Sequence, residues 1–311
     1  MVNRKNIVLG LLCLLSLQVV PMNARWVGRR AVDFVHDKFR DITVEVAVRY
    51  VYAFNSDKVD EATAENYPEL DLMVSQLSQD AAVEKPLVFV MTSRVPSVGG
   101  KFNAMAVGNK GHSAVFVGSE LMKKLSSDEL KGVIAHEITH IQKNHVIKQQ
   151  VFRMISAMAA TYFVWSLSNR VYKNVRSSLE SVSIDAQSIG NQIDLPQLGE
   201  HQEMINKGIR FLGATVITAL AKPFISASLA PVVSASRAYY SRKCEFEADK
   251  GAVELTKETK IADGLNRLDS ETKRLFSFST WLDSIWPVWF RSHPRTPDRV
   301  KNIEKVAQEI L

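Results

Sequence analysis

Three residues, His136, Glu137 and His140, form the pattern H-E-x-x-H near the middle of the chain. Two histidines four positions apart on a helix project from one face, so both imidazoles can bind a single ion. A glutamate beside the first histidine can take a proton from a water molecule held at that ion. The pattern therefore predicts one zinc ion held by His136 and His140, with Glu137 as general base. The alternative is an ordinary amphipathic helix whose histidines lie on the surface or pack in the core.

The segment around these residues carries the signals of a well-defined helix. Ser126 and Glu129 have the spacing of a capping box directly before an apolar run. The isoleucines that recur at helical spacing and can face a core are Ile134, Ile138 and Ile141. Gly132 weakens a helix by about 1 kcal/mol relative to alanine. Such a glycine is usually tolerated where another element packs close, so we expect a close neighbour there.

A second helix is predicted over residues 241–255. Glu245 and Asp249 are four positions apart in it and face the same way. A zinc site with two histidines needs a third protein ligand and an open position for water, and a carboxylate serves well. Asp249 can accept a hydrogen bond from the far nitrogen of a ligating histidine and so fix its tautomer. Alternatively, these carboxylates belong to a solvated acidic face that is paired with Arg242 and Lys250.

Short apolar runs before the histidine helix predict a small β-sheet. Residues 86–91 have the pattern of one strand, and residues 102–107 and 113–117 have that of a hairpin closed by the turn 108–112. In a metalloprotease the edge strand of such a sheet can hold a substrate in extended form by backbone pairing. A hairpin that only packs on the helix fits the sequence as well.

An apolar run near the N-terminus predicts a targeting or membrane segment. Residues 7–21 are apolar and follow the basic pair Arg4 and Lys5, as in a signal peptide or a short anchor. Arginines follow the run at once, and basic residues at that position resist translocation. We therefore expect a retained membrane anchor, with cleavage after Ala24 as the alternative.

Residues 151–167 and 211–235 predict two further apolar helices, which lie between the two parts of the expected zinc site. Lys222 and Pro223 interrupt the second one, which allows two packed helices or a kinked one. The residues on either side of the pair must share one ion, so either both helices cross a membrane or neither does. The sequence leaves both options open.

Composition limits the class of protein. The chain of 311 residues is 46% hydrophobic and 23% charged, as is usual for a folded protein. Its net charge of +6 is spread along the sequence without a basic stripe interleaved with aromatics, so nucleic acid is not predicted as a partner. The two cysteines, Cys13 and Cys244, predict no disulfide scaffold. We interpret Cys244 as a packing residue.

Four separated segments together resemble the M48 zinc metallopeptidases, and within them the HtpX-type membrane proteases. They follow the order of the family and extend from about residue 86 to the C-terminus. The segments are Asn103–Ala106, Ser127–His140, Ser241–Asp249 and Ser292–Arg299. The resemblance implies a mainly α fold with a small β-sheet, a zincin-type metallopeptidase domain in which a glutamate helix follows the H-E-x-x-H helix.

The resemblance also implies roles for the residues of the expected zinc site. His136, His140 and Glu245 would bind one zinc ion per chain, with Glu137 as the general base. Asp249 would support the site from behind the ligands.

Further roles are implied outside the two helices. His293 matches a family histidine that approaches the metal, either stabilising the oxyanion or capping the zinc in a resting state. Asn103 and Ala104 match the edge strand along which the peptide substrate is thought to lie. Arg299 matches a basic position for which the sequence indicates no role.

We predict three regions: an N-terminal signal or anchor (1–24), a helical region (25–82) and an M48-like metallopeptidase domain (83–311) with the two apolar helices inserted. The function predicted from the resemblance is zinc-dependent endopeptidase activity on membrane-associated or misfolded polypeptides. The expected location is a membrane, of the bacterial inner-membrane type, or else the periplasm or exterior after signal cleavage. HtpX-type members have two N-terminal apolar segments where this chain has one, so topology stays open, as does the oligomeric state.

Two rival functions fit parts of the pattern. A zinc-bound but non-cleaving protein, such as a membrane-associated chaperone, would keep the metal ligands and lose the base, so the presence of Glu137 speaks against it. A purely structural helical membrane protein would bind no stoichiometric metal.

Overall fold

The computed structural model describes residues 58–93, 101–193, 196–275 and 293–311. The predicted signal or anchor, 1–24, and residues 25–57 of the region after it lie outside this part. The described chain divides into two compact units, one made of the residues up to Phe152 and from Arg237 onward, the other of Arg153–Ser236. The first unit contains the sheet and both halves of the expected zinc site. The division of the chain into regions 1–24, 25–82 and 83–311 stays a prediction.

The first unit contains a four-stranded mixed sheet. Its strands are β1 (Val59–Glu61), β2 (Leu87–Met91), β3 (Ala104–Gly108) and β4 (Ser113–Gly118). The order across the sheet is β1-β2-β4-β3, in which β2 and β4 are parallel and the other neighbours are antiparallel. The predicted hairpin is therefore confirmed as β3 and β4. Among the described residues, β3 has a strand on one side only, so its other edge is open.

The core lies between one face of this sheet and the neighbouring helices. Val88 and Val90 of β2 face that core, whereas Phe89 faces the opposite side and stacks on Phe116 of β4 with ring centroids 5.2 Å apart. This alternation follows from the two-residue period of a strand. Helix α1 (Pro68–Asp80) packs against the same core, and the short α2 (Ser119–Lys124) follows β4 directly.

Helix α3 (Ser127–Gln142) carries the H-E-x-x-H pattern. The predicted capping box is confirmed: the Ser126 hydroxyl accepts from the Glu129 backbone N–H, and the Glu129 carboxylate accepts from the Ser126 N–H at 2.7 Å. The three isoleucines of the predicted stripe are fully buried. The helix is thus fixed at its start by hydrogen bonds and along its length by apolar packing.

Two glycines let other helices approach α3 closely. A β-carbon on Gly132 would lie 2.9 Å from Cα of Ile261 in helix α7 (Lys260–Leu275), which confirms the close neighbour expected there. A β-carbon on Gly251 of helix α6 (Gln202–Thr256) would lie 2.3 Å from Cγ2 of Thr139. Carbon atoms normally approach to about 3.5–4.0 Å. Gly251 therefore sets how close α6, which carries Glu245, comes to α3.

Four further elements complete the described chain. They are α4 (His145–Ser178), α5 (Ala186–Gln192), a 3₁₀ helix (Pro196–His201) and the C-terminal α8 (Thr296–Ile310). The second unit consists of the part of α4 after Phe152, α5, the 3₁₀ helix and the part of α6 before Arg237.

Helix α6 is a single helix where the sequence allowed either two packed helices or one kinked helix. It continues through Pro223 and Pro231, so the interruption at Lys222–Pro223 does not end it. The helix expected over residues 241–255 is the C-terminal part of the same element. A proline removes one backbone hydrogen bond but leaves its neighbours free to stay helical, and residues 234–240 contain neither glycine nor proline.

The second unit exposes much apolar surface. Phe163 and Trp165 of α4 are 51% and 55% exposed, and Leu220 and Phe224 of α6 are 65% and 77% exposed. Soluble monomers rarely expose large apolar patches. Both α4 and α6 are long and apolar enough to cross a membrane by length and composition.

Candidate metal centre

The structure brings His136, His140 and Glu245 together in the first unit. The two Nε2 atoms are 3.0 Å apart, and each lies 3.7 Å from a carboxylate oxygen of Glu245. All three side chains are buried, and their donor atoms lie within 4.8 Å of one another. A tetrahedral zinc ion holds nitrogen and oxygen donors at about 2.0–2.2 Å, which spaces them about 3.3–3.5 Å apart. The observed distances bracket that spacing, so the donor set fits zinc.

Asp249 lies behind His136, on the side away from Glu245. Its Oδ1 is 3.0 Å from Nδ1 of His136, and its side chain is fully buried. Because a carboxylate can only accept, Nδ1 of His136 donates to Asp249, which leaves Nε2 as the nitrogen that faces Glu245 and His140 and would bind a metal after losing its own proton. Burial and the nearby Arg299 guanidinium lower the pKa of His136, but hydrogen bonds to Asp249 and Glu245 outweigh them and raise the pKa to about 9.

Arg299 of α8 holds Asp249 in place. Its Nε lies 2.9 Å from Oδ2 of Asp249, a second guanidinium nitrogen reaches Oδ1, and Nη1 is 3.7 Å from Oε2 of Glu245. The sequence indicated no role for this residue. Burial raises the pKa of Asp249, but Arg299 and His136 outweigh it and lower that pKa, so Arg299 is a buried counter-charge for Asp249.

Glu137 lies next to His136 and is tied to the sheet. Its Oε2 accepts a hydrogen bond of 2.7 Å from the backbone N–H of Ala106 in β3. Burial raises the pKa of Glu137, and this outweighs the opposing effect of His136. A higher pKa makes a carboxylate a stronger proton acceptor, so the environment suits a general base.

The open edge of β3 lies beside Glu137. The carbonyl of Asn103 accepts from Gly118 N–H at 2.8 Å and so faces β4, whereas the N–H of Ala106 faces Glu137 on the opposite side. Backbone groups alternate along a strand. Ala104 therefore directs its N–H and carbonyl to the same open edge as Ala106, while the Asn103 carbonyl is used inside the sheet.

His293 lies at the rim of the site. Its Nδ1 is 3.4 Å from Oε1 of Glu245, and its side chain is 71% exposed. The contact with Glu245 raises the pKa of His293. Thus a loop histidine approaches the metal donors and remains open to solvent.

The sequence reasoning missed the roles of two residues near the metal donors, His145 and Glu247. His145 is buried, with Nδ1 at 3.0 Å from Nδ1 of His140 and Nε2 at 3.1 Å from Glu247. Asn144 has a positive φ of 54°, which ends α3 and turns the chain so that His145 lies against His140. An asparagine just after a helix and before a histidine was the available signal, whereas the partner Glu247 is far away in sequence.

A helix with H-E-x-x-H, a carboxylate on a distant helix and an adjoining edge strand define the site of a metallopeptidase. The chain belongs to peptidase family M48, whose model matches residues 64–307. A protease HtpX homolog from Campylobacter concisus is 26% identical over 273 residues, covering 83% of this chain and 80% of that protein. A protease HtpX homolog from Nostoc punctiforme is 27% identical over 317 residues, covering 97% and 93%.

A solved structure is also similar. The crystal structure of S. mikatae Ste24p matches with a TM-score of 0.49 and 18% sequence identity, over 83% of this chain and 54% of that one. This chain therefore spans about half the length of that protein.

The predicted resemblance to M48, HtpX-like proteins is confirmed, as is the fold class of a mainly α chain with a small sheet and a zincin-like arrangement. The roles of the individual site residues stay predictions.

Proposed function

We propose that this protein is a zinc-dependent endopeptidase that hydrolyses peptide bonds of membrane-associated or misfolded proteins. The observation that carries the proposal is the approach of His136, His140 and Glu245 to within 4.8 Å of one another. Glu137, the one further acidic group the reaction needs, is buried next to them.

His136, His140 and Glu245 would hold the zinc ion. Three protein donors are the number typical of catalytic zinc sites, in which another position is left for water. When bound, zinc acts as a Lewis acid that makes a water molecule more acidic, with a pKa of about 7 in known enzymes, and polarises a substrate carbonyl. Asp249 and Arg299 keep the ring of His136 in the orientation and tautomer that the site needs.

Glu137 is the proposed proton carrier. It takes a proton from the attacking water and then delivers it to the amine that leaves as the peptide bond breaks. The hydrogen bond from Ala106 fixes its carboxylate relative to β3. Strand β3 therefore positions both the general base and a peptide paired with its edge, which helps to keep the proton acceptor aligned with the scissile bond.

The open edge of β3 is the proposed substrate site. An extended polypeptide can pair with the outward N–H and carbonyl of Ala104, which binds any sequence through its backbone. Asn103 would contribute through its side chain, because its carbonyl already accepts from Gly118. Backbone pairing suits a protease with unfolded or misfolded substrates.

His293 is proposed to face the developing oxyanion. Its raised pKa increases the fraction of imidazolium, which can donate a hydrogen bond to an oxygen that gains negative charge. Alternatively, its ring caps the metal in a resting state. Its side chain is 71% exposed, which leaves it free to move between these two positions.

We place the protein in a membrane. The exposed apolar side chains of α4 and α6 support this, as does their length. Because Glu245 and His140 must meet on one side of the membrane, we propose that both apolar segments cross it. The proposed location is a bacterial-type inner membrane. A wash of membranes with alkaline carbonate should leave the full chain in the pellet. Release into the supernatant favours the periplasmic or secreted alternative.

The variant Glu137→Gln tests the function. In detergent, it should keep one zinc per chain by metal analysis and lose at least a hundredfold of the rate of casein cleavage. Glu309→Gln, an exposed acidic residue near the end of α8, is the matched control and should cleave normally. Unchanged cleavage by Glu137→Gln removes that residue from the role. Zinc without cleavage in the unaltered protein favours the non-cleaving binding protein, and absence of stoichiometric metal favours a structural membrane protein.

A further inference from the structure

His140 has a second support that differs from that of His136. Its Nδ1, the nitrogen away from the metal donors, lies 3.0 Å from Nδ1 of His145, and Nε2 of His145 lies 3.1 Å from Oε2 of Glu247. The His145 side chain is 1% exposed, whereas that of Glu247 is 46% exposed. We refer to His140, His145 and Glu247 as the His145 relay.

The direction of its hydrogen bonds follows from the carboxylate. Oε2 of Glu247 is a hydrogen-bond acceptor, so Nε2 of His145 donates to it. A neutral His145 then has a lone pair on Nδ1, which accepts from Nδ1–H of His140. His140 in turn is left with its lone pair on Nε2, the atom 3.0 Å from Nε2 of His136 and 3.7 Å from Glu245. The opposite order would put a proton on that atom and block metal binding.

The fold holds His145 and Glu247 of the relay in register. Phe152 of α4 and Tyr240 of α6 stack with ring centroids 4.8 Å apart and nearly parallel rings. They lie seven residues after His145 and seven before Glu247, which is two helical turns on each antiparallel helix. The stacked pair therefore fixes α4 and α6 against each other close to the His145–Glu247 contact.

We propose that His145 and Glu247 are positioning residues that fix the tautomer and ring orientation of His140 for zinc binding. The inference rests on the proposed function, since it takes the ion to be zinc held by His140. Each ligating imidazole then has its own acidic support: Asp249 directly behind His136, and Glu247 behind His140 through His145. Loss of such a support typically weakens metal affinity by about 10–100-fold.

The test measures zinc affinity by chelator competition in the full-length protein in detergent. His145→Leu fills the space without an acceptor and should weaken zinc binding about 10–100-fold. His145→Asn places an oxygen near the position of Nδ1 and should recover most of that loss. Glu247→Ala should weaken binding by a smaller factor, because water can replace an exposed acceptor. Glu254→Gln, an acidic residue two turns further along α6, is the control and should bind as the unaltered protein does.

A second readout is independent of turnover. Cobalt substituted for zinc gives visible ligand-field bands that respond to the orientation of the imidazole ligands, and these bands should shift in His145→Leu and return in His145→Asn. If a folded His145→Leu protein binds zinc with unchanged affinity and shows an unchanged cobalt spectrum, the inference is overturned. The proposed function is not affected by that result. If that variant does not fold, Glu247→Ala decides: unchanged affinity refutes the relay, and weaker binding supports it. Failure of the unaltered protein to bind zinc refutes the proposed function instead.

Discussion

The close approach of α6 to α3 at Gly251 should control whether the metal donors can meet. Alanine at this position puts a β-carbon 2.3 Å from Cγ2 and 2.5 Å from the hydroxyl oxygen of Thr139, which is fully buried and bonded to Ala135. Normal contact is about 3.5–4.0 Å, so the helices must separate by about 1 Å or more. Glu245 lies on the same helix six residues earlier, and its carboxylate would move away from both histidines.

The magnitude follows from the cost of overpacking. Inserting a methyl group into a well-packed core typically destabilises by about 1–3 kcal/mol. For a unit of this size each kcal/mol lowers the melting temperature by roughly 2–4 °C. We expect Gly251→Ala to lower the melting temperature accordingly and to weaken zinc binding at least tenfold, because a shift of about 1 Å exceeds the tolerance of a zinc–ligand distance.

The assay compares four proteins by thermal unfolding and chelator competition. Gly208→Ala is the matched control, since a β-carbon there meets nothing within 4 Å in the same helix. It should be neutral or stabilise the helix by up to about 1 kcal/mol. Gly251→Ala combined with Thr139→Ala removes the two nearest atoms and should restore most of the zinc affinity. Normal zinc binding by Gly251→Ala alone refutes the argument that this contact sets the spacing of the site.

Three further predictions concern the site and the helix that carries it. Asp249→Asn should weaken zinc binding about 10–100-fold, because the amide can present its N–H to His136 and reverse the tautomer; affinity equal to the unaltered protein contradicts this. With the metal removed by a chelator, the free energy of unfolding should fall as pH rises through about 9. The protonated His136 stabilises the folded state because its pKa is raised there; this contribution is fully present below pH 6.5, the ordinary pKa of histidine, and is lost as pH passes the raised pKa. Urea titrations at pH 6.5 and 9.5 check this, and His136→Gln should flatten the change. Ser126→Ala should cost about 1 kcal/mol in urea unfolding through loss of the helix cap, without a change in zinc stoichiometry; a change in metal content counts against a purely local role.

The sequence allowed prediction of those parts that depend on local pattern. The capping box at Ser126, the buried isoleucine stripe and the hairpin each involve residues close together in the chain, so their spacing is sufficient to indicate them. The resemblance to a family joined Glu245 to the histidines, which local spacing alone could not do. The close neighbour at Gly132 followed from the cost of a glycine inside a helix.

The remaining features depend on contacts between distant segments. His145 and Glu247 are 102 positions apart, so the asparagine before His145 could indicate a turn there but not the partner. Strand β1 is three residues long, and its pairing with β2 is what stabilises it. The continuity of α6 through two prolines could not be decided from the sequence, because a proline can either end a helix or leave the neighbouring residues helical.

The most direct test of the account is anomalous X-ray scattering at the zinc edge from crystals of the full-length protein. We predict one peak per chain, about 2.0–2.2 Å from Nε2 of His136, Nε2 of His140 and a carboxylate oxygen of Glu245. A peak bound to other residues, or crystals of zinc-loaded protein without a peak between these three side chains, would contradict the account.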